Sequence, residues 1–309
     1  MSIAIIFTNK SPETWVETLL KRLPETKVEV YPDIKNFDAV TFALCWKPEN
    51  GVLAKFPNLK VIHSVGAAVD HITKTQKIKE TQTICRIVDE NLSNDMFEFL
   101  LAAILNHIKN LAVYQSQKEH QNWQPQTYKT FKDITVSILG VGNIGAFVAE
   151  KLAALGFKIK GWALNEKEIA GVSTFAGDKE LAQFLNGTDI LINILPVTPQ
   201  TENIINNHML SQVNEGGYFI NVGRGEHLVE EDLIAVLNSG QLSGALLDVF
   251  KTEPLPTEHP FWNHPKIMIT PHIASITNIE SAAFLVVKNY QNHLNGLPLK
   301  HTLSLTKGY

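Results

Sequence analysis

The chain has 309 residues, 44% of them hydrophobic and 19% charged, with a net charge of −4 from 27 basic and 31 acidic side chains. That length exceeds one small core and suits two domains, and the composition is that of an ordinary soluble globular protein. Mild acidity without a long run of either sign gives no support to nucleic-acid binding, and no segment approaches the roughly 18 apolar residues of a membrane span.

From the N-terminus, Ile3–Phe7 is too short for a signal-peptide core and reads as a first β-strand. Further strands are expected at Val28–Tyr31, Ala39–Leu44, Val61–Ser64 and Thr83–Arg86, with an amphipathic helix at Trp15–Leu23. Cys45 and Cys85 stand outside any CxxC spacing and read as core thiols of a reducing compartment, so a cytoplasmic protein is expected. A long helix is predicted from about Leu92 to Glu119, its apolar face supplied by Phe97, Leu100, Leu101, Ile104, Leu105, Ile108 and Leu111.

A second alternating series follows. Its predicted strands are Thr135–Leu139, Ile159–Trp162, Ile190–Ile194, Tyr218–Asn221, Gly244–Asp248 and Ile267–Thr270. Helices are expected at Ile144–Leu155, Asp178–Leu185, Asn207–Gln212 and Glu230–Ser239, and a last one at Ile279–Leu294. Strands alternating with helices imply an α/β architecture of doubly wound parallel sheets, and six strands with crossovers match a dinucleotide-binding fold.

Gly140-Val141-Gly142-Asn143-Ile144-Gly145 sits between a predicted strand and a predicted helix, the context a dinucleotide fingerprint requires. Gly140 permits the tight turn, Gly142 lets the backbone approach a pyrophosphate, and Gly145 lets helix and strand pack closely. Amides near Asn143 and Ile144 would stabilise phosphate at the positive helix end. About 20 residues on, where an acid would bind the NAD ribose, stands Ala163, followed by Leu164-Asn165-Glu166-Lys167. Without that acid NADP is favoured over NAD, and Asn165 and Lys167 are candidates for its 2′-phosphate.

Three residues in the second half carry the chemistry. Arg224 follows the strand Tyr218–Val222 in a Gly-Arg-Gly turn, and its planar fork can hold carboxylate and carbonyl oxygens together. His272, after Thr270-Pro271, can donate a proton near neutral pH and take it back. Glu253 would fix the imidazole tautomer and supply its counter-charge. His259 and His264 flank a short loop but lack metal-ligand spacing, and no metal is expected.

On these residues the chain resembles the D-isomer-specific 2-hydroxyacid dehydrogenase family, and within it the glyoxylate/hydroxypyruvate reductase A branch. The branch resemblance rests on Ala43-Leu44-Cys45-Trp46-Lys47-Pro48, Ser64 to His71, Leu195 to Thr201, Leu247 to Pro256, and the closing Lys307-Gly308-Tyr309. It implies a Rossmann dinucleotide-binding domain over residues 98–278. It also implies a smaller flavodoxin-like substrate domain from 1–97 and 279–309. By the same resemblance, Arg224 anchors a small 2-keto acid, His272 is the acid/base and Glu253 its partner. Trp46 and the backbone of Gly66, Ala67 and Ala68 would contact substrate, with Ala67 standing where many relatives have glycine. Met96, Pro196, Val222 and Asp248 would contact the dinucleotide. A homodimer is implied as well. Two readings stand beside this one: a relative acting on another keto acid such as 3-phosphohydroxypyruvate, and a dinucleotide-sensing binding protein.

Overall fold

Two parallel sheets organise the chain, and strands such as Ser2–Phe7, Val40–Trp46 and Ile190–Asn193 are apolar runs too continuous for one wet face. The computed structural model describes residues 1–303; the Lys307-Gly308-Tyr309 motif lies outside the described residues. The chain divides into two units, one of Met1–Leu92 with the segment from Thr277 onward, the other of Ser93–Ile276. The expected divisions stood after residues 97 and 278. The first unit ends earlier because Met96 and Phe97 pack into the apolar cluster of the second.

The first unit runs β1 (Ser2–Phe7), α1 (Glu13–Arg22), β2 (Lys27–Val30), β3 (Val40–Trp46), β4 (Val61–Ser64), α2 (Asp70–Thr73) and β5 (Thr83–Cys85). The chain continues through α3 (Glu90–Ile108) and α4 (Leu111–Glu119) into β6 (Thr135–Leu139), α5 (Asn143–Ala154), β7 (Lys158–Ala163) and β8 (Val172–Ala176). Next come α6 (Leu181–Leu185), β9 (Ile190–Asn193), α7 (Asn207–Leu210), β10 (Gly217–Asn221), α8 (Glu230–Ser239), β11 (Leu242–Leu247) and β12 (Ile267–Ile269). Helix α9 (Ile279–Leu294) then returns to the first unit.

The first sheet has the order β2-β1-β3-β4-β5 and the second β12-β11-β10-β9-β6-β7-β8, with every pairing parallel. Side chains alternate between two buried faces. In the second sheet Ile190, Ile192, Ile220 and Leu246 join α3 and α5 in one apolar cluster. Leu191, Phe219, Ala245 and Leu247 join α8 in another. This is the expected fold class, two doubly wound parallel-sheet domains.

Three elements differ from expectation, the first being the short α2, where no helix was expected. The predicted long helix breaks after Ile108, because Asn110 takes a left-handed conformation (φ 57°) and donates from Nδ2 to Thr127 O at 2.9 Å. Asparagine tolerates that conformation at small cost, and the two helices meet at 57°. The second sheet also has seven strands rather than six. The extra one, β8, is an edge strand without a fully buried position, and Ser173 and Thr174 interrupt its apolar residues. Gly171 and Gly177, both at positive φ, bracket it. No single helix among the described residues is long and apolar enough to cross a membrane.

The first unit's core contains a histidine, His63 of β4, wholly buried. Its Nδ1 donates to Ser64 O at 2.8 Å, and its Nε2 accepts from Asn289 Nδ2 of α9 at 3.2 Å. Asn289 is itself clamped to the backbone of Lys300 through Oδ1 (2.8 Å) and Nδ2 (3.0 Å). Burial pushes the imidazole pKa down from 6.5 to about 4, with repulsion from His301 adding to the effect. The unfolded chain therefore binds a proton that the folded chain refuses. His63's contribution to stability is fully present above pH 6.5 and lost as pH falls toward 4. For one proton that is up to about 1.4 kcal/mol per pH unit. His107, likewise pushed down to about 4 by burial, acts with the same sign in the second unit. His63→Leu should accordingly lower the melting temperature at pH 7 yet flatten its decline between pH 6.5 and 4.5. Parallel curves for the variant and the unmodified protein would unlink His63 from that decline.

Candidate active site

The glycine loop joins β6 to α5 at the point where the sheet order reverses, since β7 lies on one side of β6 and β9 on the other. Each glycine has a separate spatial reason. Gly140 sits at φ +102°, and a Cβ there would meet the backbone of Ile194 and Leu195 at 2.9 Å. A Cβ on Gly145 would lie 2.1 Å from Gly140 O, so close packing of helix on strand requires its absence. Gly142 faces open space, with nothing within 4 Å of a Cβ. The amides of Gly140 and Val141 donate to Trp162 O at 2.9 and 3.2 Å. The first helical bond is Ala146 N to Gly142 O at 2.8 Å, which leaves the amides of the first turn outside the helical ladder. A pyrophosphate therefore fits here, above Gly142 and before the positive end of α5.

Three neighbouring strands, β12, β11 and β10, end at the same sheet edge and carry the candidate catalytic residues on the loops that follow. His272 lies beyond β12 and Glu253 beyond β11. His272 Nδ1 and Glu253 Oε2 are 2.9 Å apart, and both side chains are partly exposed. The carboxylate accepts a hydrogen bond from Nδ1–H, which leaves Nε2 as the ring nitrogen available for proton transfer. Glu253 is held from behind by the Phe250 amide, which donates to Oε1 at 3.2 Å. Beyond β10, Arg224 directs one bond from Nη1 to Gly223 O at 2.8 Å.

His272 has φ +56°, a conformation that a side chain with a Cβ adopts only when its surroundings enforce it. Asp248 enforces it. This carboxylate is 1% exposed; its Oδ1 accepts from Thr270 Oγ1 (2.6 Å) and Ile273 N (2.8 Å), and its Oδ2 from Ala274 N (2.9 Å). Asp248 thus gathers the turn on both sides of His272. Thr270 is a site residue that sequence reasoning missed; its signal would have been a hydroxyl two positions before the histidine.

The sequence profile of the D-isomer specific 2-hydroxyacid dehydrogenase NAD binding domain matches residues 101–274. Glyoxylate/hydroxypyruvate reductase A of Yersinia enterocolitica is 39% identical over 302 residues, covering 96% of each chain. This chain belongs to the D-isomer-specific 2-hydroxyacid dehydrogenase family. The reductase A of Escherichia fergusonii is 36% identical over 312 residues, 99% of each chain. Among solved members of the family, one from Xanthobacter autotrophicus in complex with NADPH and MES superposes with a TM-score of 0.95. It is 33% identical and covers 100% of this chain and 99% of its own. The NADPH-dependent glyoxylate/hydroxypyruvate reductase of Sinorhizobium meliloti, in complex with NADP and sulfate, gives 0.93 at 33% identity over 100% of both chains.

The other residues that the family resemblance singled out have the following settings. In the second unit Met96 and Val222 are each 6% exposed in the apolar cluster, whereas Pro196 is exposed. β7 ends at Ala163, and Asn165 and Lys167 follow it on the surface. In the first unit Trp46 ends β3, half-buried, with the Lys10 ammonium 4.8 Å from its ring and His71 at the same distance. A Cβ on Gly66 would lie 3.3 Å from the Trp46 ring. The Gly66 amide donates to Ser64 Oγ at 3.1 Å, and Ser64 Oγ donates to Ala68 O at 2.8 Å, so this loop is braced by its own strand. His259 pairs with Glu230 at 3.4 Å and His264 contacts Asn238 at 3.4 Å. No cluster among the described residues could hold a metal ion.

The glycine geometry separates two substitutions. Gly145→Ala should destabilise the second unit by about 1–3 kcal/mol, the usual scale of overpacking, and weaken dinucleotide binding as well. Gly142→Ala should leave urea denaturation nearly unchanged and weaken dinucleotide binding alone. Equal stability of the two variants would contradict the close helix–strand contact.

Proposed function

We propose that the protein reduces a small 2-keto acid at the expense of NADPH, hydroxypyruvate to its D-2-hydroxy acid or glyoxylate to glycolate. The observation that carries this reading is the His272–Glu253 pair at 2.9 Å, on a turn that the buried Asp248 holds. The sheet edge that carries this turn also carries Arg224 and the glycine loop. The dinucleotide supplies the hydride when bound. Arg224 holds the substrate carboxylate and draws electron density from the adjacent carbonyl. His272 gives its Nε2 proton to the carbonyl oxygen as the carbon is reduced, and reverts to neutral imidazole with Nδ1–H still on Glu253. In the oxidative direction the same nitrogen takes the proton back.

Within this reading Gly140, Gly142, Asn143, Ile144 and Gly145 hold the pyrophosphate, and Pro196, Val222, Met96 and Asp248 border the remainder of the dinucleotide. NADP is the assigned cofactor. Ala163 places no carboxylate at the end of β7 to repel a 2′-phosphate, and Asn165 and Lys167 are exposed beyond it. The solved relatives from Xanthobacter and Sinorhizobium carry NADPH and NADP. Trp46, Gly66, Ala67 and Ala68 are assigned to the substrate. Because Ser64 occupies the Gly66 amide, carboxylate contacts there fall to Ala67 and Ala68.

We assign the protein to the cytoplasm as a homodimer. Cys45 and Cys85 are free buried thiols, Cys85 pushed up to about 12 by burial, as suits a reducing compartment. Helix α4 has no buried residue, and the stretch it opens exposes Leu111, Val113, Tyr114, Tyr128 and Trp123, the last at 96%. An apolar surface of that kind is a feature of subunit interfaces, and a second copy is the occupant the family resemblance implies. Light scattering should give twice the chain mass at micromolar concentration, and Leu111→Glu with Trp123→Glu should give the single mass. A monomeric unmodified protein would refute the assignment.

Absorbance at 340 nm, with glyoxylate and hydroxypyruvate each paired with NADPH and NADH, tests the reaction directly. Turnover should be faster with NADPH. His272→Gln should lower kcat by about 10²–10⁴-fold, the scale of general acid–base catalysis, while NADPH still binds. Near-normal turnover in that variant would remove the acid/base role.

A further inference from the structure

Behind Arg224 lie three polar side chains that no motif groups together: Asn193 at the end of β9, Asn221 at the end of β10, and His227 in the turn after Arg224. All are 0% exposed. Polar groups at such depth are costly unless hydrogen-bonded, and here they are bonded to one another and to the chain around Arg224. Asn221 Oδ1 accepts from Asn193 Nδ2 at 2.9 Å and from Gly223 N at 3.2 Å, while Asn221 Nδ2 donates to Arg224 O at 3.1 Å. Asn193 Oδ1 accepts from Leu195 N at 3.1 Å.

His227 closes the network. Its Nδ1 lies 2.8 Å from Asn193 Nδ2 and 3.2 Å from Arg224 N, both of them donors. A nitrogen that accepts N–H bonds carries no proton, so the proton is on Nε2. Nε2 lies 3.2 Å from Pro196 O and donates to it. Thr201 Oγ1 donates to the same carbonyl at 2.8 Å. The backbone of Arg224 is therefore held at its amide by His227 and at its carbonyl by Asn221.

The flanking glycines belong to the same arrangement. A Cβ on Gly223 would lie 2.7 Å from Asn193 Nδ2 and 3.2 Å from His227 Nδ1, and one on Gly225 would lie 2.0 Å from the Phe250 carbonyl carbon. Phe250 is the residue whose amide holds Glu253. The Gly-Arg-Gly sequence is thus required by what packs around the arginine.

We infer that His227, as the Nε2–H tautomer, is a positioning residue. It sets the backbone of the substrate anchor Arg224 and joins it to the Leu195–Pro196 turn on the dinucleotide side. The inference rests on the proposed function for the roles of Arg224 and Pro196. The hydrogen-bond network stands independently of that reading.

His227→Leu keeps bulk but leaves Asn193 Nδ2, Arg224 N and Pro196 O without this partner. It should lower kcat/KM for the keto acid about 30-fold, chiefly through KM, and raise the NADPH dissociation constant several-fold by fluorescence titration. Glutamine offers an acceptor and a donor at a comparable separation, so His227→Gln should come within about threefold of the unmodified protein on both measures. In an Arg224→Ala background, His227→Leu should change kcat/KM by less than about twofold, because its route to the substrate is already gone. A full additional loss in that background would make His227 a general structural residue and overturn the inference. If His227→Leu does not fold, His227→Asn, too short to reach Pro196, replaces it with the same expected loss of NADPH affinity. Nitrogen NMR of histidine-labelled protein should show His227 protonated at Nε2 alone near neutral pH. An Nδ1 proton would overturn the network whether or not the protein reduces keto acids. Absence of turnover in the unmodified protein, with the Nε2 tautomer and the NADPH effect present, would count against the proposed function only.

Discussion

A parallel strand buried on both faces can carry polar chemistry only at its ends. In the second unit the strands present apolar side chains to helices on each side, and all run in one direction. The loops beyond their carboxyl ends therefore share one edge. Arg224, Asp248, Glu253, His272 and the glycine loop all occupy that edge, although more than a hundred residues of sequence separate the first of them from the last.

Reactive groups at such an edge still need rigid support, and buried polar side chains provide it. Asp248 and Glu253 are close in sequence but differ in task because they differ in burial. Asp248, shielded from water, gives its oxygens to Thr270, Ile273 and Ala274 and holds His272 at positive φ. Glu253, partly exposed, is left to orient the imidazole. Asn193, Asn221 and His227 do for Arg224 what Asp248 does for His272. In each case a satisfied network in a low-dielectric setting limits the motion of the group it supports.

How much of this was legible in the sequence depends on the range of the forces involved. Burial on both faces leaves continuous apolar runs in the central strands, and with the shorter apolar stretches at the edges eleven of the strands could be read with boundaries close to those observed. β8 escaped because Ser173 and Thr174 interrupt its apolar residues and leave no such run. The long helix escaped for a different reason. Its apolar pattern continues past Lys109, and the break comes from one asparagine whose left-handed conformation is secured by a contact with Thr127. Periodicity records which face is buried; it does not record where a backbone turns.

The candidate site divides in the same way. Sequence by itself determined the fold class, the family, and the residue types available for the chemistry: the glycines between strand and helix, and an arginine, a glutamate and a histidine in strand-end motifs. These are legible because steric limits on glycine and the periodicity of burial act over a few residues. Tertiary structure alone decided which nitrogen of His272 meets Glu253, that Asp248 braces the histidine's turn, and that His227 lies behind Arg224. Those outcomes depend on hydrogen bonds a few ångströms long between distant segments, which no local pattern of residues encodes.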